Sequence, residues 1–232
     1  MRLLRVAESA STNDDLTALA ARGAPHGTAL LADRQTAGRG RLGRVWESGE
    51  GNVALSVLLR PDLPLERVPL LCLAAAVAVA TAAGPAYRIK WPNDVLAPDD
   101  RKVCGILAEL DSERGQVRHV VVGIGVNLAS APPLPTAASL LEVDGIRRDP
   151  EAFAREVAEG LIASCEQLQE DPSPVLQRWR ALSHTLGRVV EVAGVVGRAL
   201  DIDPDGALRL LTECGERRVL AGDVTMVAQQ SG

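Results

Sequence analysis

What the sequence lacks narrows the field first. Aromatic residues make up 2% of its 232 residues, and no stripe of them alternates with basic side chains. A stacking surface for single-stranded nucleic acid therefore has nothing to be built from. The net charge of −5 also argues against a dedicated nucleic-acid binder, which is usually basic over a whole face. The four cysteines, Cys72, Cys104, Cys165 and Cys214, include no closely spaced pair, which excludes the short metal and redox motifs and fits a reducing, cytoplasmic setting. The N-terminal MRLLRVAESAS lacks the apolar core of a signal peptide. The longest apolar run, Val68 to Ala83, contains Pro69 and Thr81 and falls short of the ~20 residues a membrane span requires. It reads as a buried helix. No internal repeat, low-complexity tract or Ser/His/Asp or Cys-centred nucleophile set is present, and His26, His119 and His184 stand outside every motif, as structural or surface groups.

Lysine and asparagine are scarce as well. Of 25 lysines and arginines only two, Lys90 and Lys102, are lysine, and the asparagines are Asn13, Asn52, Asn93 and Asn127. In a chain that writes arginine wherever either cation serves, a surviving lysine marks a place that needs a compact ammonium, unless it survives by chance. The asparagines mark places for a neutral carboxamide in the same way.

Against this background stands DRQTAGRGRLGRVWES, Asp33 to Ser48, where Gly38, Gly40 and Gly43 alternate with Arg39, Arg41 and Arg44 ahead of Trp46. Glycine permits close backbone approach and positive φ, and arginine offers a donor fork that fits carboxylate and phosphate. The run suits closure over an anion, although arginine–glycine loops also bind RNA or stand merely solvated. Its setting in an acidic chain favours a small anionic ligand.

The remaining segments supply a scaffold. Ser9 to Leu16 is a helix entrance with Ser11, Thr12 or Asn13 as cap. Thr28–Asp33 and Asn52–Leu59 read as strands on either side of the loop, the second with Val53, Leu55 and Val57 on one face. A short strand runs into Lys90-Trp91-Pro92-Asn93-Asp94, where Pro92 ends it and fixes a turn. Lys102–Leu110 and His119–Leu128 form a hairpin turned by DSERGQ, with Gly105, Gly123 and Gly125 allowing close approach. The proline-rich ASAPPLPTAAS is a candidate second mobile loop. Asp149-Pro150 opens a helix with Phe153, Val157, Leu161, Cys165 and Leu168 at helical spacing, and a second helix runs through Trp179. From Ser183 onward short β-rich runs, one turned by Pro204-Asp205-Gly206, make a small barrel. Its core is too small to be very stable alone, and it is expected to dock on the rest.

These residues resemble the biotin–protein ligases. STN at Ser11–Asn13, Gln35 with GRGRLGR and Trp46, KWPND at Lys90–Asp94, KVCGIL at Lys102–Leu107 and GIGVNL at Gly123–Leu128 occur in the family's order. The resemblance implies an α/β catalytic domain like that of class II aminoacyl-tRNA synthetases, with a mixed sheet, over residues 1–182. It also implies an SH3-like C-terminal barrel over 183–232. Many bacterial relatives carry an N-terminal helix-turn-helix domain that represses biotin genes. Only ten residues precede Ser11 here, so no DNA binding is expected.

The activity implied is ATP-dependent, with Mg²⁺. Biotin's carboxylate attacks the α-phosphate to give biotinyl-5′-AMP and pyrophosphate, and a lysine of a biotin carboxyl carrier domain then takes the biotinyl group. By the same resemblance Ser11, Thr12, Asn13 and Gln35 serve biotin's ureido head. Gly38, Arg39, Gly40 and Arg41 wrap its carboxylate and the adenylate phosphate, with Arg44 on the nucleotide side. Lys102 holds those oxygens, Gly105 flanks biotin, Trp46 covers its tail or the adenine, and Asn93 and Asn127 contact the nucleotide. Asp94 either orients or deprotonates the carrier lysine or helps hold Mg²⁺, whose ligands stay unassigned. Lys90 is either a phosphate contact or a partner for an acid. Leu42 departs from the family, where a second basic residue is common. A monomer or weak homodimer, free of membranes, is expected. The rival readings are a lipoate or octanoate ligase or transferase on the same scaffold, and a non-catalytic biotin sensor.

Overall fold

A computed structural model of the chain describes residues 1–227; the last five residues of the expected second domain, 228–232, lie outside the described residues. Seven strands form one sheet: β1 (Arg2–Ser9), β2 (Thr28–Gln35), β3 (Val53–Leu59), β4 (Arg88–Lys90), β5 (Asp94–Leu96), β6 (Lys102–Glu113) and β7 (Gln116–Val126). Their order is β1-β2-β3-β7-β6-β5-β4. The sheet is mixed. β1 and β2 are parallel and the other neighbours antiparallel, and the parallel pair is joined by the crossover helix α1 (Thr12–Ala21). β1 was not legible as a strand. It lies on the sheet's edge with half of its residues exposed and only Ser9 fully buried, so no apolar alternation announces it.

β3 lies inside the sheet between β2 and β7, and all seven of its residues are buried. Val53, Leu55, Val57 and Leu59 belong to the main core. Leu58 faces a smaller core with Leu16 and Ala20 of α1, Leu30 and Val121. One face is as expected, then, and the other is covered as well. The β6–β7 turn is tighter than the six polar residues suggest. Glu113 pairs with Gln116, leaving Arg114 and Gly115 at φ 52° and 80°, the two left-handed residues a short hairpin turn requires.

Helix α2 (Leu70–Ala83) lies on the main-core side. With the helical turn before it, Leu65–Ala83 is 19 residues, long and apolar enough by length and composition to cross a membrane, which corrects the reading that it falls short. Burial is what identifies it as a core helix. It packs on α4 (Pro150–Glu170) and α5 (Ser173–Leu182). At Gly160 of α4 an added Cβ would stand 3.3 Å from that of Ala78. Asp149 caps α4 by accepting from the Ala152 N–H at 2.7 Å, and the five apolar residues read at helical spacing are all buried. Burial pushes the Cys165 thiol up to about 12, so it packs as an inert hydrophobe. A short helix, α3 (Leu140–Asp144), follows the proline-rich segment.

The C-terminal part is a five-stranded antiparallel sheet: β8 (Val189–Val192), β9 (Val195–Ile202), β10 (Leu208–Thr212), β11 (Gly215–Val219) and β12 (Val224–Met226), in the order β11-β10-β9-β8-β12. It docks as expected. Ser183 pairs in parallel with Ile89 of β4, and the His184 N–H donates to the Ile89 carbonyl at 2.8 Å. The Trp91 N–H donates to Thr185 Oγ1 at 2.9 Å, and its indole Nε1–H to the Gly206 carbonyl at 3.0 Å. Trp91 is buried and serves as a bolt between the two sheets.

Candidate functional site

A cavity of about 530 Å³ opens on the face of the large sheet, within the usual range for small-molecule sites. Its floor is β6 and β7, where Gly105 pairs with Gly125 and Leu107 with Gly123. None of these three glycines has positive φ; what each gives is space. A Cβ on Gly125 would fall inside the Trp46 indole, and one on Gly123 would stand 2.5 Å from Asn13 Oδ1. One on Gly105 would come within 3.0 Å of Trp46 and 3.1 Å of Lys102 Nζ. Side chains from other elements are what approach so closely.

One end of the cavity is neutral and buried. Ser11 caps α1 by accepting from the Asp14 N–H, which sets Thr12 and Asn13 in the first turn. Gln35 Oε1 accepts from both the Thr12 N–H at 2.8 Å and its hydroxyl at 2.9 Å. Ser56 Oγ lies 2.8 Å from Thr12 Oγ1 and donates to Asn13 Oδ1 at 2.6 Å. Asn13 Nδ2 in turn donates to Glu109 Oε2 at 2.6 Å.

The other end is cationic. The arginine–glycine run is a short flap: Arg39 bridges Val45, the Gly40 N–H donates to the Arg44 carbonyl at 2.7 Å, and the Trp46 N–H to that of Gly38 at 2.9 Å. At the tip Leu42 takes φ 56° and stands 79% exposed. Arg41 donates to Asn93 Oδ1 at 2.8 Å and lies 3.5 Å from Asp223, which also pairs with Arg44. Arg39 instead holds Asp14 through both nitrogens, at 2.9 and 2.7 Å, and Glu109 at 2.8 Å. The Asp14 bonds, partly offset by desolvation, raise the Arg39 pKa. Lys102 Nζ sits 2.6 Å from Asp94 Oδ1, an ion pair outside hydrogen-bond alignment, since that oxygen has no hydrogen-bond partner. The same ammonium is 5.6 Å from the Trp46 ring centroid, within reach of a cation–π contact.

Between the ends, Asn127 donates to the Ala138 carbonyl at 3.2 Å, while its buried Oδ1 has no partner among the described residues. An orphaned acceptor of this kind calls for a donor from outside the protein. The proline-rich segment beside it is not the loose loop expected. The Lys102 N–H donates to the Thr136 carbonyl at 2.8 Å, and the Ala138 N–H to that of Lys102 at 3.0 Å. Asn52 Oδ1 accepts from the Ala129 and Ser130 N–H groups. This anchoring brings Pro132, Leu134 and Thr136 onto the cavity wall.

Every site residue read from the sequence lines this cavity except Gly38. Gly38 belongs to the base of the flap, where a Cβ would collide with the Trp46 carbonyl. Lys90 lines it too, as does His184, a buried group that no motif placed at the site. His184 Nε2 lies 2.6 Å from Asp100, yet burial outweighs that carboxylate and lowers the imidazole's pKa. Asp100 is itself half-exposed, so water screens its pull. Sequence reasoning also missed Ser56, Glu109 and Asp223. A lone hydroxyl in the apolar strand NVALSVLL was the available signal for Ser56; Asp223 had none, because it reaches the flap from the far sheet. Among the described residues no group of three His, Cys, Asp or Glu could hold a metal ion.

Comparisons with known proteins bear on this geometry. Residues 5–127 match the Biotin/lipoate A/B protein ligase family, and residues 185–227 match the Biotin protein ligase C terminal domain. The Biotin--[acetyl-CoA-carboxylase] ligase of Mycobacterium tuberculosis is 40% identical over 238 residues, covering 94% of this chain and 86% of that protein. The Bifunctional ligase/repressor BirA of Bacillus subtilis is 38% identical over 236 residues, covering 93% and 71%. Among solved structures, the biotin protein ligase of Aquifex aeolicus in complex with biotin and ATP superposes with a TM-score of 0.83 at 29% identity, covering 97% of this chain and 98% of that one.

Proposed function

The chain belongs to the Biotin/lipoate A/B protein ligase family, and we propose that it activates biotin with ATP and transfers it to a lysine of a carrier domain. The observation that carries this reading is the polarity of one cavity, a neutral hydrogen-bonding head end joined to a cationic end with an orphaned acceptor between them. Thr12 uses Gln35's carbonyl oxygen twice, leaving the Gln35 amide hydrogens to donate to a ureido oxygen. The apolar walls at Leu55, Ile106 and Ile124 suit a thioether ring and an alkyl tail.

At the cationic end two anions, biotin's carboxylate and the α-phosphate, must come together. Lys102 and Arg41 neutralise them there, where preorganised charge acts most strongly. Asp94 holds the Lys102 ammonium in place, and Asn93 does the same for the Arg41 guanidinium. The partnerless Asn127 Oδ1 accepts from adenine's amino group, and the indole of Trp46 covers the tail. A flap laid over the mixed anhydride excludes the water that would hydrolyse it. Mg²⁺ enters on the phosphates of ATP, its usual mode of binding. Asp94 and Asp223 already face Lys102 and Arg41, so neither is assigned to a protein-held metal. In the second step the carrier lysine attacks the anhydride, and AMP leaves.

The family's description also covers lipoate ligases. A dithiolane or plain acyl end would press against Ser11, Thr12, Asn13 and Gln35 without satisfying the donors left there, a mismatch that discriminates strongly. ATP–pyrophosphate exchange measured with biotin, lipoate and octanoate in parallel tests this. Exchange with biotin alone is expected. Exchange with lipoate or octanoate would move the chain to the sister activity, and biotin binding without exchange would make it a sensor.

A further inference from the structure

Glu109 stands two residues beyond the last motif of its strand, and no feature of the sequence singles it out. In the structure it touches both ends of the cavity. Its Oε2 accepts from Asn13 Nδ2 at 2.6 Å, and Arg39 Nη2 lies 2.8 Å from Oε1 and 3.1 Å from Oε2. The contacts are not interchangeable. Asn13 is buried and fixed at its other end by Ser56 Oγ at 2.6 Å, so it belongs to the rigid head pocket. Arg39 opens the flap, and among the described residues its guanidinium is otherwise held only by Asp14, the residue after Asn13 on the same helical turn. One half-buried carboxylate thus grips a fixed group on one side and a hinged one on the other.

We propose that Glu109 is a positioning residue that couples the head pocket to the flap. Arg39 reaches Glu109 and Asp14 with the flap laid against α1 and β6, and the latch is accordingly assigned to the closed state. Glu109 takes up its place in the latch only when Asn13 is oriented to donate to it. A ligand head that bonds to this pocket and stabilises the Asn13 orientation that donates to Glu109 therefore favours closure, and closure tightens ligand binding by the same factor, as linkage requires. This assigns Arg39 a role distinct from that of Arg41. It anchors the closed flap while Arg41 and Lys102 meet the anions.

The proposal rests on the biotin-ligase reading, and a double-mutant cycle separates the two. Glu109→Gln keeps an oxygen for Asn13 but loses the charge that holds Arg39; Arg39→Gln removes the other half and sits on an exposed flap. In the full chain, two quantities are measured for the parent, both singles and the double: the first-order release of biotinyl-adenylate, and biotin affinity without ATP by calorimetry. Each single change is expected to speed release and weaken biotin roughly fivefold, the scale of coupled charged neighbours. The double should do no worse than the more affected single. Arg39→Lys, which cannot span two carboxylates, should restore only part of the retention. Effects that multiply in the double, or a Glu109→Gln protein that retains adenylate like the parent, would overturn the coupling while leaving the ligase reading intact. A parent without biotin-dependent exchange would overturn both.

Discussion

The two ends of the cavity are built on opposite plans. The head end uses neutral groups that are buried and bonded to one another, carried on α1, β2 and β3. The anion end uses charged groups that stay partly in water, with Arg39 43% and Arg44 59% exposed, carried on a flap, on β5 and β6 at Asp94 and Lys102, and just ahead of β12 at Asp223. Each plan suits its task. Recognising a fixed shape rewards rigidity, because buried donors and acceptors left unmatched penalise every wrong ligand. Neutralising charge that changes during a reaction rewards groups that can approach and withdraw, and exposed ion pairs are weak enough to be exchanged for a ligand's oxygens.

The comparison breaks most visibly at Lys102. Lys102→Met should slow adenylation by about 2–4 kcal/mol in barrier, the scale for one preorganised donor, while biotin affinity, governed by the other end, changes little. Single-turnover adenylation beside calorimetry checks both halves, and an unchanged rate would remove Lys102 from the chemistry. A smaller and opposite signature is expected at the head end. Thr12→Val leaves Gln35 Oε1 and Ser56 without the hydroxyl and should weaken biotin by about 1–3 kcal/mol, visible as a raised KM for biotin with little change in kcat. A kcat effect without a KM effect would mean that the two ends are not separable in this way.

The smallest effect concerns pH. Burial lowers the pKa of both His119 and His184, so below about 6.5 the unfolded chain binds protons that the folded one resists. Stability is then complete above that pH and declines as the pH falls toward the lowered folded values. Thermal melts at pH 7.5 and 5.5 should show the decline, and a His119→Asn/His184→Asn double variant should flatten it.

Much of this was legible because local chemistry and global fold agree. Cap residues at Ser11 and Asp149, helical spacing from Phe153 to Leu168 and turn residues at Pro204–Gly206 each fix their own element. Mixed sheet, C-terminal antiparallel sheet and motif-borne cavity all follow the resemblance. What was illegible depends on distance. β1 is an exposed edge with no periodic signal, and the proline-rich segment is held by backbone bonds to Lys102 that composition cannot announce. Glu109, Asp223 and His184 acquire their places only when segments far apart in sequence meet. Trp91 marks the boundary between the two cases. It sits inside a legible motif, yet its work is to join sheets.

That joint has an architectural consequence. β4 ends the large sheet, and an open edge of this kind is a template for pairing with other chains. Here Ser183 to Thr185 lie along it, so the segment that leads into the second sheet also seals the first. A chain cut after Leu182 would lose the partners of Trp91's two N–H groups and uncover that edge in one stroke. Such a fragment should aggregate rather than survive as a smaller enzyme.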